Sequence, residues 1–159
     1  MKRAPDFPAD HLIPDDLAYS AFGLPAKRHI PGSGSEPDLE FLQSIKQQCP
    51  ENIATDQWRG NLVYRYGWHL FTHQFYWESH EIWEAVWLRC HANSRQRFLL
   101  QALIQIANAR LKIMQNKNTV AQKILLHATA LGEEAFSGRN RHQVLMGVSH
   151  ILLSELVAE

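Results

Sequence analysis

His80, Glu81, Glu84 and Trp87 fall at steps of one, three and three residues inside the stretch Phe75 to Leu88, which also carries Trp77, Glu78 and Trp83. If the stretch is helical, His80 and Glu84 lie one turn apart and Glu81 and Glu84 are three residues apart, so three donor groups can converge on one small cation. Two further chemistries are open to the same residues. Glu81 and Glu84 could share acid–base work on a small substrate if one acid is kept neutral while the other stays ionised. The faces of Trp77 and Trp87 could hold a cationic ligand that the carboxylates orient.

Nucleophilic chemistry finds less support. Ser79 projects about 100° away from His80 on a helix, and Cys90 and His91 are adjacent and face apart in the same way. The zinc-protease pattern needs a second histidine where Glu84 stands. A carboxylate-bridged di-iron bundle needs Glu-x-x-His from two helices, and this chain has one such segment with the order reversed. Any further metal ligands would come from His69 or His73 on the preceding helix.

The elements that position these groups follow from periodicity. Trp77, His80, Glu81, Glu84, Trp87 and Leu88 share one side of the helix, and Ser79, Ile82, Trp83 and Val86 share the other, so the helix is expected to be buried all round. Arg97, Gln101, Gln105, Asn108 and Lys112 form a polar stripe at steps of four, four, three and four beside the apolar face of a long helix, expected to run from Asn93 to Asn116. Amides in line suit hydrogen bonding in a partly buried setting, so Gln101 and Gln105 are expected to support the acids from across the bundle.

Other helices are expected around Leu39 to Lys46, stopped by Pro50; from a cap at Thr55 or Asp56 through Leu62 and His73; from a Thr119/Gln122 capping box to terminators at Gly132 and Gly138; and from Val144 to Leu156. Six of the seven prolines fall in residues 1–37 with Gly23, Gly32 and Gly34, which favours an irregular arm. The expected fold is all-α: a compact bundle of five to six helices over residues 38–159, with a Pro/Gly-rich arm, residues 1–37, packed on it.

The 159 residues have the length of one domain, and sixteen basic residues balance sixteen acidic ones. Such a balance offers no global field for nucleic acid or an anionic membrane, so neither is an expected partner. The first residues lack the apolar run of a secretory signal, no apolar stretch is long enough to span a bilayer, and Cys49 and Cys90 read as reduced thiols. The expected compartment is the cytoplasm, with a homodimer or a small-molecule ligand as compatible partners.

The middle of the chain resembles the family catalogued as domain of unknown function 309, small helical proteins marked by His-Glu-x-x-Glu-x-x-Trp, here His80, Glu81, Glu84 and Trp87, with an aromatic and acidic lead-in at Tyr76 to Ser79. Phe98 to Gln105 is similar to the family's second block, Asn118 and Ala121 fall at its helix–helix turn, and Leu24-Pro25 with Ile30-Pro31-Gly32 resembles a proline-rich leader subgroup. Ala102 and Lys117 stand where glycine is common in the family. The resemblance implies a helical bundle and names no activity.

Two readings of function follow. The preferred one makes the His80, Glu81 and Glu84 constellation, with its tryptophans, a buried polar network that fixes helix register in an interaction or scaffold protein. The alternative is a pocket for a small ligand, lined by Trp77, Trp87, Gln101, Gln105 and Asn108, or for a divalent metal on His80, Glu81 and Glu84, with hydrolysis by the Glu81/Glu84 pair as its catalytic form. No cofactor motif is present, and the spacing permits a metal without favouring one.

Overall fold

The computed structural model describes residues 6–53, 55–138 and 143–158. Its helices are α1 (Leu39–Lys46), α2 (Leu62–Thr72), α3 (Tyr76–Trp87), α4 (Arg95–Met114), α5 (Asn118–Ala135) and α6 (His150–Val157). They pack in chain order, α2 on α3, α3 on α4 and α4 on α5, with α1 against α3 and α6 against α5. The expected bundle with an irregular N-terminal arm is what the chain forms.

Helix ends are where the sequence reading and the structure part. Asn61 caps α2, its side chain accepting from the Tyr64 N–H at 3.1 Å, while Thr55 begins a separate 3-10 helix, Thr55–Gly60. Ser94 caps α4 in place of Asn93, because Asn93 takes a φ of 61° and cannot serve as a cap in extended conformation. Thr119 lies within the first turn of α5, which begins after Lys117 without a side-chain cap. The α4–α5 turn places positive φ on Asn116 and bonds the Lys117 N–H to the Lys112 carbonyl at 2.8 Å, so Lys117 needs none of glycine's freedom.

Two corrections concern the C-terminal part. Gly132 does not end α5 but sits inside it, where a Cβ would come within 2.7 Å of the Leu153 side chain on α6. The helix expected from Val144 begins only at His150. Before it, Val144–Leu145 (β1) pairs antiparallel with Val148–Ser149 (β2) across Met146 and Gly147, whose φ values of 50° and 79° give the turn of a tight hairpin. Two-residue strands are too short to show alternation in sequence.

Helices α2 and α3 approach closely at Gly67. A Cβ on Gly67 would lie 2.2 Å from the Trp83 indole nitrogen, so only glycine admits the indole. Two hydrogen bonds lock the contact: the Ser79 hydroxyl donates to the Gly67 carbonyl at 2.9 Å and Trp83 Nε1 donates to the Tyr64 carbonyl at 3.2 Å. Trp68 meets Trp83 edge-on at 5.0 Å. Ser79, Ile82, Trp83 and Val86 are thereby all fully buried.

The arm packs on this core. A 3-10 helix, Pro8–Leu12, carries it in, and Phe7, Ala9, Ile13 and Leu17 are buried. Asp10 meets Arg110 of α4 through two contacts of 3.0 and 2.8 Å, with the guanidinium under the Phe7 ring at 3.8 Å. Further along, Arg65 donates to the Asp16 carbonyl at 3.0 and 2.7 Å and the Tyr66 hydroxyl to the Gly23 carbonyl at 2.7 Å. The Asp16 and Gly23 acceptors are arm backbone. That matches what a proline-rich segment lacks, namely a regular partner for its carbonyls.

Cys49 and Cys90 are free and buried, and burial raises both thiols, Cys90 to about 12, which holds them as inert thiols. Among the described residues no helix is long and apolar enough to cross a membrane.

Two substitutions test these contacts. Gly67→Ala drives a methyl into a rigid indole and is expected to cost about 3 kcal/mol, read as a lower urea midpoint at unchanged slope. Asp10→Ala removes one of the partners of the buried Arg110 charge and is expected to cost about 1–3 kcal/mol, with hydrogen exchange rising over residues 7–18; exchange unchanged there would show the arm to be held by its apolar contacts alone.

Candidate functional site

With Ser79 and Trp83 turned into the core, the opposite side of α3 faces outward. His80, Glu81 and Glu84 are therefore half-buried instead of buried: their side chains are 22, 24 and 46 % exposed. Leu88, expected inside with them, is exposed. The helix is not buried all round because only one side can take the Gly67 crossing, and the other has α1 and α4 as flanking walls.

Between α3 and α4 runs an open groove of about 190 Å³ lined by His80, Glu84, Trp87, Gln101, Ile104, Gln105 and Asn108. The expected set thus comes together on one surface, with two exceptions. Trp77 is absent from the groove and instead takes the edge of the His29 ring at 4.6 Å from the arm. Glu81 turns to a second groove of about 410 Å³ between α1 and α3, lined by Gln43, Lys46, Gln47, Glu81, Glu84, Ala85, Leu88 and Arg89. There Lys46 Nζ pairs with Glu81 Oε2 at 2.9 Å. Glu84 forms the ridge between the two. The larger groove lacks the amide stripe, so its size does not make it the better site.

The chemistry of the narrower groove lies in its unspent polar groups. His80 Nε2 is 3.3 Å from Glu84 Oε2, and its Nδ1 is 3.7 Å from Glu81 Oε1 and has no hydrogen-bond partner. The Trp87 Nε1 is likewise buried without a partner. Among the described residues, Gln101, Gln105 and Asn108 make no side-chain hydrogen bond, so the stripe lies beside the acids without bracing them. Arg97, also of the stripe, covers the Trp87 ring at 3.9 Å and donates to the Trp87 and Cys90 carbonyls at 3.3 and 3.1 Å, closing the end of α3.

As a metal set the cluster is compact, with one ligand atom from each of His80, Glu81 and Glu84 within 4.8 Å of the others. Its present pairing works against an ion. The two carboxylates approach opposite nitrogens of one imidazole, and Lys46 already supplies a counter-charge to Glu81. His69 and His73 do not join the cluster; they lie at the end of α2 and contact each other.

The most buried acid is one the periodicity does not single out. Glu78 is 2 % exposed, and its Oε2 accepts the His29 N–H at 3.0 Å while Oε1 is buried without a partner. It lies at the margin of the buried arc of α3 and is sealed by the arm, which helical periodicity cannot register. Its place in the Tyr76 to Ser79 lead-in was the available signal.

A family model described as domain of unknown function (DUF309) matches residues 64–125. Over that segment the chain is similar to the family. The DUF309 match begins on α2 and ends on α5, so it contains the Gly67 crossing, Glu78 and every residue lining the α3–α4 groove, while the arm and the terminal hairpin lie outside it. Comparison with curated proteins and with solved structures gave no match.

Burial raises the Glu78 carboxyl above its ordinary value of 4.5, against the smaller lowering by the His29 N–H and by the charges of His29 and Arg28. A raised acid binds its proton more tightly in the folded chain, so stability falls as pH rises from about 4.5 through the folded value. Glu78→Gln removes that ionisation. Its melting temperature relative to the native chain is expected to be higher at pH 7 than at pH 4.5; a variant more destabilised at pH 7 would mean that the charge is held by Arg28 and His29 to net advantage.

Proposed function

We propose that this protein is a binding protein whose α3–α4 groove takes a small hydrogen-bonding molecule, its amine or N–H-rich end directed at Glu84. The carrying observation is that Glu84, Gln101, Gln105 and Asn108 line one groove with His80 and Trp87, two residues whose Nδ1 and Nε1 are buried without a partner. A closed structural network would have spent these groups on one another, because leaving buried donors and acceptors unmade costs about 1–3 kcal/mol each. The preferred sequence reading, a buried network, therefore has less support than its alternative.

The size bounds the ligand. A groove of about 190 Å³ is below the roughly 300–1,000 Å³ of sites for drug-sized ligands, which suits a small amine, amide or single sugar ring and leaves no room for a nucleotide. A hydrolytic Glu81/Glu84 pair is less well supported, since Lys46 already pairs with Glu81 in the neighbouring groove and Glu81 does not line the α3–α4 groove.

Thermal melts and ligand titrations followed on the Trp87 indole N–H test this reading. Glu84→Gln and Gln101→Ala are expected to stay within about 0.5 kcal/mol of the native chain, since neither strands a buried partner. Both should weaken binding of any amine, amide or sugar that shifts the indole signal by about tenfold or more, a loss of 1.4 kcal/mol. Costs above about 3 kcal/mol for both variants, with no compound of the panel shifting the signal, would return the site to a structural role.

A further inference from the structure

His69 and His73 stand one turn apart at the C-terminal end of α2, away from the groove. Their ring centroids are 4.5 Å apart and the planes are inclined by 50°, too steep for stacking. Each ring is oriented through Nδ1. His69 Nδ1 lies 3.2 Å from the Ala18 carbonyl oxygen, and His73 Nδ1 lies 2.8 Å from the His69 carbonyl oxygen. A carbonyl oxygen only accepts, so Nδ1 carries the proton in both rings and the lone pair is left on Nε2.

That is the arrangement metal-ligating histidines use. The remote nitrogen donates to a carbonyl, which fixes the tautomer and strengthens the other nitrogen as a ligand. The ring separation agrees with it. At a metal–nitrogen distance of about 2.0–2.1 Å each centroid sits about 3.2 Å from the ion, and nitrogens subtending about 90–109° put the centroids about 4.5–5.2 Å apart.

We propose that His69 and His73 form a two-histidine site for a divalent cation that prefers imidazole, Cu²⁺, Ni²⁺ or Zn²⁺, bound through the two Nε2 atoms with water in the remaining positions. Among the described residues no third histidine, cysteine or carboxylate completes the pair. Arg28, which donates to the His73 carbonyl at 3.0 Å and lies over the Phe75 ring at 4.7 Å, adds a positive charge to the neighbourhood and tempers the affinity. Because His69 is held by the arm carbonyl of Ala18, the bound ion also fastens the arm.

The test is Cu²⁺ titration of the full chain after treatment with a chelator, followed by gel filtration and electron paramagnetic resonance. The expected result is one copper per chain with two equatorial nitrogens. His73→Ala, at an exposed position, should weaken binding by about tenfold or more with the melt of the metal-free chain unchanged; His69→Ala should do the same to binding, and His80→Ala should leave it as in the native chain. Copper lost on gel filtration of the native chain, retained in His73→Ala, or abolished by His80→Ala would each overturn the assignment.

Discussion

The approach of the Trp83 indole to Gly67 fixes the rotation of α3, and the rest of the arrangement depends on that rotation. A tryptophan admitted at a glycine, with Ser79 bonded to the same glycine's carbonyl, leaves α3 one way to lie. Ser79, Ile82 and Val86 must then point inward, and His80, Glu84 and Trp87 outward toward α4. The polar groove is thus a consequence of packing on the other side of the helix. The DUF309 match spans both the crossing and the groove.

Much of the architecture was legible in the sequence because it rests on long periodic segments. Apolar residues recur at three- and four-residue steps in α1, α4 and α5, and the existence of these helices follows from it. Helix caps were less legible: Asn93 and Ser94 are both good cap residues, and only the backbone shows that Asn93 takes the left-handed conformation and leaves the cap to Ser94. The terminal hairpin escaped for want of length. Val144 to Leu156 is apolar enough for a helix, and the turn at Met146 and Gly147 is set by contacts with Trp58, Leu17 and Tyr64, all distant in sequence.

The candidate groove was legible in most of the residues that meet there, Trp77 and Glu81 excepted, and not in its environment. Residues at helical spacing on α3 and on α4 meet as the spacing implies, since a helix face is a local property. Burial is not local. Trp77 and Trp87 looked like an argument for turning His80 and the acids inward, yet Trp77 is covered by His29 from the arm and Trp87 by Arg97, so both indoles find shelter at the surface. The same arm seals Glu78. An irregular segment without periodicity therefore decided which acid of α3 became the buried one.

The ion pair of Asp10 with Arg110 joins residues one hundred positions apart, and this separation orders events during synthesis. Phe7, Ile13 and Leu17 leave the ribosome long before the residues that will cover them exist, and at about 5–20 residues per second Asp10 waits about 5–20 s for Arg110. Through that interval the nascent chain carries an apolar strip with nowhere to dock. The prolines and glycines between residues 5 and 34 suit such a wait, since they disfavour both regular helix and the ladder pairing through which exposed strands aggregate. The composition that makes the arm irregular in the folded protein is also what keeps it harmless before folding is complete.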